Sequence, residues 1–263
     1  MRERGRRISS RRMQQGAYLV PRTNLDKGLQ GLQAHLVQLG SHVEAALAET
    51  LQALETGNHT SLHVVIEADA SIDALSAAAE EQALRLLILQ QPLGGQDLRL
   101  LTAALYLSNH LGQIEDAIVE MAQTLLRVAT LYRQTVGLTL YSVHASPVDQ
   151  QGRLTDAFLL RGLLVLGGEI RYILRQAMEA FVQRDAVIAR TVGNDQDLVE
   201  LRYAPLCRDI LDMQAQHTAF PAAQRDATFV QRITYLLWIA HKLAEMATHV
   251  QNICQRIIFI VEG

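Results

Sequence analysis

Two apolar stripes with one register constrain this chain more than anything else in it. The first runs Leu100, Ala104, Leu107, Leu111, Ile114, Ile118, Met121, Leu125 and Val128. Its steps alternate four and three, which places every member on one face of a long helix. The second, Leu236, Ile239, Leu243, Met246, Val250, Ile253, Ile257 and Ile260, repeats those steps near the C-terminus, 132 positions on. Two long helices in one register predict a duplicated unit. The turn sequence supports this, since Ala53–Asn58 aligns with Ala180–Asp185 at an offset of 127.

Around these stripes the remaining helices can be placed. Helix 1 is expected from Leu25 to Thr56, capped by Thr23 or Asn24 and ended by Gly57-Asn58. Its core face is Leu29, Leu32, Leu36, Leu39, Val43, Ala46 and Leu47. Helix 2 runs from Ser61 to Gln91 and stops because Pro92 disfavours helical backbone before it. Gly94 and Gly95 provide the turn, and helix 3 runs from Gln96 to Arg133 with Asp97 in its first turn. Helix 4 spans Thr155–Gln183, helix 5 Asp185–Gln214 and helix 6 Ala222–Val261. Gly193-Asn194 and Pro205 make helix 5 prone to a kink or split.

The expected fold is all-α, with two pseudo-symmetric antiparallel three-helix bundles. Residues 1–22 form a basic tail, 24–135 the first bundle, 136–154 a connector extended in part, and 155–263 the second bundle. Leu and Ala dominate, and aromatic residues are only 5%, which favours helix over strand.

Charge narrows the class of function. Residues 1–22 carry seven arginines and one acid, whereas the rest holds 17 basic and 26 acidic side chains. An acidic body argues against nucleic acid as a partner, because phosphate binding needs a basic face. The tail is read as solvated. Contact with anionic lipid, a targeting role and an upstream start-codon artefact are its alternatives. No apolar run reaches the ~20 residues that span a bilayer. Cys207 and Cys254 form no ligand spacing and are expected as reduced thiols of a cytoplasmic protein.

Catalytic signatures are missing from the sequence: it has no phosphate-cradling glycine loop, no G-x-S-x-G, no H-E-x-x-H and no paired C-x-x-C. His59 and His63 are spaced i,i+4 but stand at a helix start away from an acid cluster. Glu67, Asp69 and Asp73 read as a solvated face. An interaction protein is therefore expected, not an enzyme.

The segment L-I-L-Q-Q-P-L-G-G-Q-D-L-R, Leu87 to Arg99, followed by A-L-Y-L-S-N-H-L-G-Q-I-E-D, Ala104 to Asp116, resembles the PhoU family. These are accessory proteins of bacterial phosphate uptake and signalling, and the resemblance covers 24–263. It implies a cytoplasmic regulator, peripheral to the membrane at most, that docks on a phosphate ABC transporter ATPase and a sensor histidine kinase. A homodimer is expected because long amphipathic helices leave apolar surface beyond one bundle. The resemblance also implies E-x-x-x-D motifs on helices 3 and 6, whose carboxylates hold iron or zinc clusters. Here those motif positions fall on Gly112 and Asp116, and on Ala244 and Thr248, so one carboxylate of four remains. Glu120, one turn beyond Asp116, offers a displaced pair. Asp116 and Glu120 are thus the candidate metal ligands. Arg85, Asp97 and Arg99 are the candidate docking residues, or else brace one another at the helix 2–3 turn. A metal-binding helical protein and a divergent PhoU-like adaptor for another transporter remain alternatives.

Overall fold

Every member of both stripes is buried, and that single fact sets the architecture. The computed structural model describes residues 19–89, 93–136, 144–148, 150, 154–218 and 228–263. Seven helices are described: α1 (Leu19–Thr56), α2 (Thr60–Leu89), α3 (Gly95–Val136), α4 (Asp156–Gln183), α5 (Ala186–Asn194), α6 (Gln196–Thr218) and α7 (Phe229–Glu262). Helices α1 to α3 form one antiparallel three-helix bundle. Helices α4 to α7 form the second, with α5 and α6 together in the place of α2. There is no strand among the described residues, as the all-α reading requires.

The most extensive helix pairing is α3 against α7, the two stripe helices, and α1 packs on α4 beside it. The core is accordingly continuous across both bundles, from Leu32, Leu36 and Leu39 through Leu111 and Ile114 to Leu243 and Val250. Small residues set the α1–α4 approach. A Cβ on Gly167 would collide with Leu51 Cδ2, and one on Gly40 would lie 2.6 Å from Met178 Cε.

Local chemistry fixes the ends. Gly57 takes φ 70° after α1 and its N–H donates to Ala53 O at 2.8 Å, a left-handed terminus that glycine adopts without penalty. Asn58 Oδ1 accepts from Thr60 N at 3.1 Å and caps α2. Asp185 caps α5, accepting from the N–H groups of Val187 and Ile188 at 2.8 and 3.1 Å.

Several boundaries differ from expectation. Backbone is helical from Leu19, so Thr23 and Asn24 lie inside α1 and neither caps it. Residues 1–18 lie outside the described residues. The expected fifth helix is two. Its break falls at Asp195, whose N–H donates to both Thr191 O and Val192 O, while Pro205 sits inside α6. Gln90-Gln91-Pro92, the centre of the resemblance, lies outside the described residues, as does the expected start of helix 6 at Ala222. Part of the connector is extended: Val148 and Leu154 form an antiparallel bridge, and Thr155 N donates to Pro147 O at 3.0 Å.

Candidate functional site

The acids sit where α2 crosses α3. Asp69 and Asp73 lie one turn apart on α2, and Glu115 and Asp116 are adjacent on α3. Asp69, Glu115 and Asp116 bring one carboxylate oxygen each to within 4.8 Å of one another. Glu115 is fully buried, and neither of its oxygens meets a hydrogen-bond donor. Its neighbours are other carboxylates. Burial, reinforced by Asp69 and then Asp116, pushes the Glu115 carboxyl up to about 8. At neutral pH Glu115 therefore holds its proton, since a buried carboxylate beside other acids is disfavoured in low dielectric. Asp116 is raised by burial and by Asp73 and Asp69.

A cation stands at the edge of this group. Lys242 on α7 pairs with Glu120 on α3 at 2.9 Å and with Glu245 at 3.0 Å, and its ammonium lies 5.4 Å from the Trp238 ring centroid. Burial works against its charge, but the two glutamates outweigh burial and raise it. The structure thus divides the expected pair. Asp116 belongs to the carboxylate group, and Glu120 belongs to Lys242.

The other family positions are plain. A Cβ on Gly112 would stand 3.8 Å from Ser76 Oγ. Ser76 and Ser108 tie α2 to α3 just beside it, with Oγ–Oγ at 2.9 Å. Ala244 and Thr248 line a cleft of about 390 Å³ between α6 and α7, with Glu200, Tyr203, His241 and His249. Of the remaining candidates, Arg85 is exposed and Asp97 is buried at the head of α3. The Arg99 guanidinium packs beside C-terminal Gly263, close enough that a Cβ there would lie 2.7 Å from Nη1.

A multinuclear metal cluster does not fit these residues. Such a cluster needs carboxylates converging from several helices, and α7 offers Ala244 and Thr248 where it would contribute. A single hard cation does fit. Asp69, Glu115 and Asp116 are an oxygen-only set, suited to Mg²⁺, Mn²⁺ or Ca²⁺ over iron or zinc, and Glu115 is a buried acid without a donor.

Sequence reasoning passed over Glu115 and read Asp69 as solvated. One signal was available. Leu111, Glu115, Val119 and Ala122 continue at helical steps along the flank of the stripe, and the other three are apolar and buried. A lone acid in such a row is a buried acid.

Comparison with known proteins adds the family. Residues 36–125 and 163–257 each match the PhoU domain. The chain is similar to a phosphate-specific transport system accessory protein PhoU homolog of Zymomonas mobilis, at 28% identity over 238 residues, covering 90% of this chain and 86% of that one. A homolog of the same description from Clostridium acetobutylicum is 20% identical over 244 residues, covering 93% and 97%. Among solved structures, PhoU from Pseudomonas aeruginosa superposes with a TM-score of 0.73 at 20% identity, covering 90% of this chain and 99% of that one. The phosphate transport system regulatory protein PhoU from Streptococcus pneumoniae gives 0.71 at 19%, covering 91% and 97%. Twin stripes, twin bundles and one domain match in each half lead to one conclusion: the chain belongs to the PhoU family.

Proposed function

We propose that this protein regulates phosphate uptake and phosphate-responsive signalling from the cytoplasmic side of the membrane. It does so by docking on the ATPase of a phosphate ABC transporter and on a sensor histidine kinase, without chemistry of its own. The observation that carries this reading is the domain match in both halves of the chain. The names of its relatives, accessory proteins of phosphate-specific transport, point the same way. No described helix is long and apolar enough to cross a membrane, so membrane machinery is reached through partners. Arg85, exposed near the α2–α3 turn, offers charge for recognition. The test is co-purification from phosphate-replete cells, paired with phosphate-starvation gene expression in a deletion strain. Recovery of the transporter ATPase together with derepressed expression supports the reading. Neither partner recovered and unchanged expression would sink it.

A second reading is favoured by Glu115: the protein carries one divalent cation on Asp69, Glu115 and Asp116. Elemental analysis of protein purified without chelator, wild type beside Asp116→Ala, tests it. About one Mg, Mn or Ca per chain in the wild type alone supports the site, and equal content in both removes it.

A further inference from the structure

On the α3–α7 seam, separate from the acidic group, two histidines from opposite bundles meet. His110 Nδ1 lies 3.3 Å from His249 Nδ1, and 3.2 Å from Gln113 Oε1. The rings are tilted, with centroids 5.5 Å apart. We propose that His110 and His249, with Gln113, form a site for one borderline divalent transition ion such as Zn²⁺, water completing its shell.

The spacing supports this directly. Two nitrogens bound to one tetrahedral Zn²⁺ at about 2.0–2.1 Å stand about 3.3 Å apart. His110 and Gln113, at i,i+3, stand on one face of α3, and His249 meets His110 from α7. Burial disfavours the charged form of both rings, and the neutral form is the one that ligates. Burial lowers His110, and Arg256 adds to this against the Gln113 contact. Burial also lowers His249, with His110 and Lys242 adding and Glu245 opposing. Both nearby cations are engaged elsewhere, Arg256 over the Tyr106 ring at 3.6 Å and Lys242 on its two glutamates. Access exists, because Glu245 and His249 line the cleft between α6 and α7. Without a metal the arrangement is awkward. The single Nδ1 proton of a neutral His110 faces both Gln113 Oε1 and the His249 nitrogen, unless the Gln113 amide is turned over. An ion resolves the conflict with three donor atoms at once, and it would clasp the two bundles across the seam.

The experiment is titration of tag-free, full-length protein with Co²⁺, read by visible d–d absorption, followed by displacement with Zn²⁺. The expected result is saturation at one Co²⁺ per chain, lost in His110→Gln and in His249→Gln but kept in Asp116→Asn. Because a seam variant can fail to fold, the wild type is also labelled with ¹⁵N-histidine and titrated with Zn²⁺ by NMR. Selective shifts of the two ring resonances support the site. No saturable Co²⁺ signal, a signal that survives both histidine substitutions, or one lost only in Asp116→Asn would overturn it.

Discussion

Two buried charged residues lie along helix α3, Arg232 packed against it and Glu115 within it, and they are accommodated in opposite ways. Near its C-terminal end Tyr132 donates to Asp156, whose Oδ2 also accepts from Arg232 Nε at 3.2 Å. Arg232 is 5% exposed, donates to Thr228 Oγ1 at 2.8 Å, and lies over the Tyr132 ring at 4.8 Å. Each charge there has its opposite. Midway along the same helix Glu115 is buried among acids. The first cluster is a structural joint between the bundles, because removing a buried charge from water is tolerable only when it is paired. In the second, burial and the neighbouring acids keep the Glu115 carboxyl protonated at neutral pH.

The comparison can be broken at four places. Arg232→Ala should have the largest effect. It strands Asp156 and removes the ring contact, and a loss of about 3 kcal/mol is expected in chemical denaturation, since breaking a buried pair from one side is costly. A cost near zero would mean that the joint is ornamental.

Glu115→Gln should act in the other direction and depend on pH. The folded carboxyl titrates at about 8, above its ordinary value of 4.5. Between those values the folded chain holds a proton that the unfolded chain has lost. Stability therefore falls as pH rises through this window, and the penalty is complete above about 8. The wild type should lose on the order of 3 kcal/mol between pH 5 and pH 9 from this group. Glu115→Gln should flatten that slope, since its amide can donate to Asp69. Melting curves across pH check this, and parallel slopes would refute it. If the acids hold a divalent cation, millimolar Mg²⁺ or Mn²⁺ should raise the wild-type melting temperature at pH 8 and leave the variant unmoved.

Lys242→Met should cost about 1 kcal/mol, because its partners Glu120 and Glu245 are half exposed and water screens them. High salt should shrink the difference. The smallest effect is expected from restoring acids to the second bundle with Ala244→Glu and Thr248→Asp. Their new charges meet Glu200 and Glu245 across an open cleft, so about 0.5 kcal/mol of destabilisation is expected, larger at low salt. A gain in stability there would mean that a cation enters that side.

Much of this was legible in the residues. The two stripes, the core face of α1 and the Gly57 terminus follow from helical periodicity, which is a local property that a sequence carries openly. The α5–α6 break is legible in Gly193-Asn194, since the chain divides directly after that pair, at Asp195, while Pro205 stays inside α6. The site was less legible. Asp116 was visible through its motif, but its partners were not. Asp69 is 47 positions away and becomes a neighbour only when α2 folds back on α3. His110 and His249 are 139 positions apart.

The sequence by itself determined that the chain forms long amphipathic helices, that it repeats, and which face of each helix is apolar. Those outcomes depend on spacing within about two turns. Only the tertiary structure decided which acids face one another and which are paired. It gave Glu120 to Lys242, gave Asp156 to Arg232 and left Glu115 without a donor. Ionisation in a packed interior is set by neighbours within a few ångströms, and those neighbours come from helices remote in the chain.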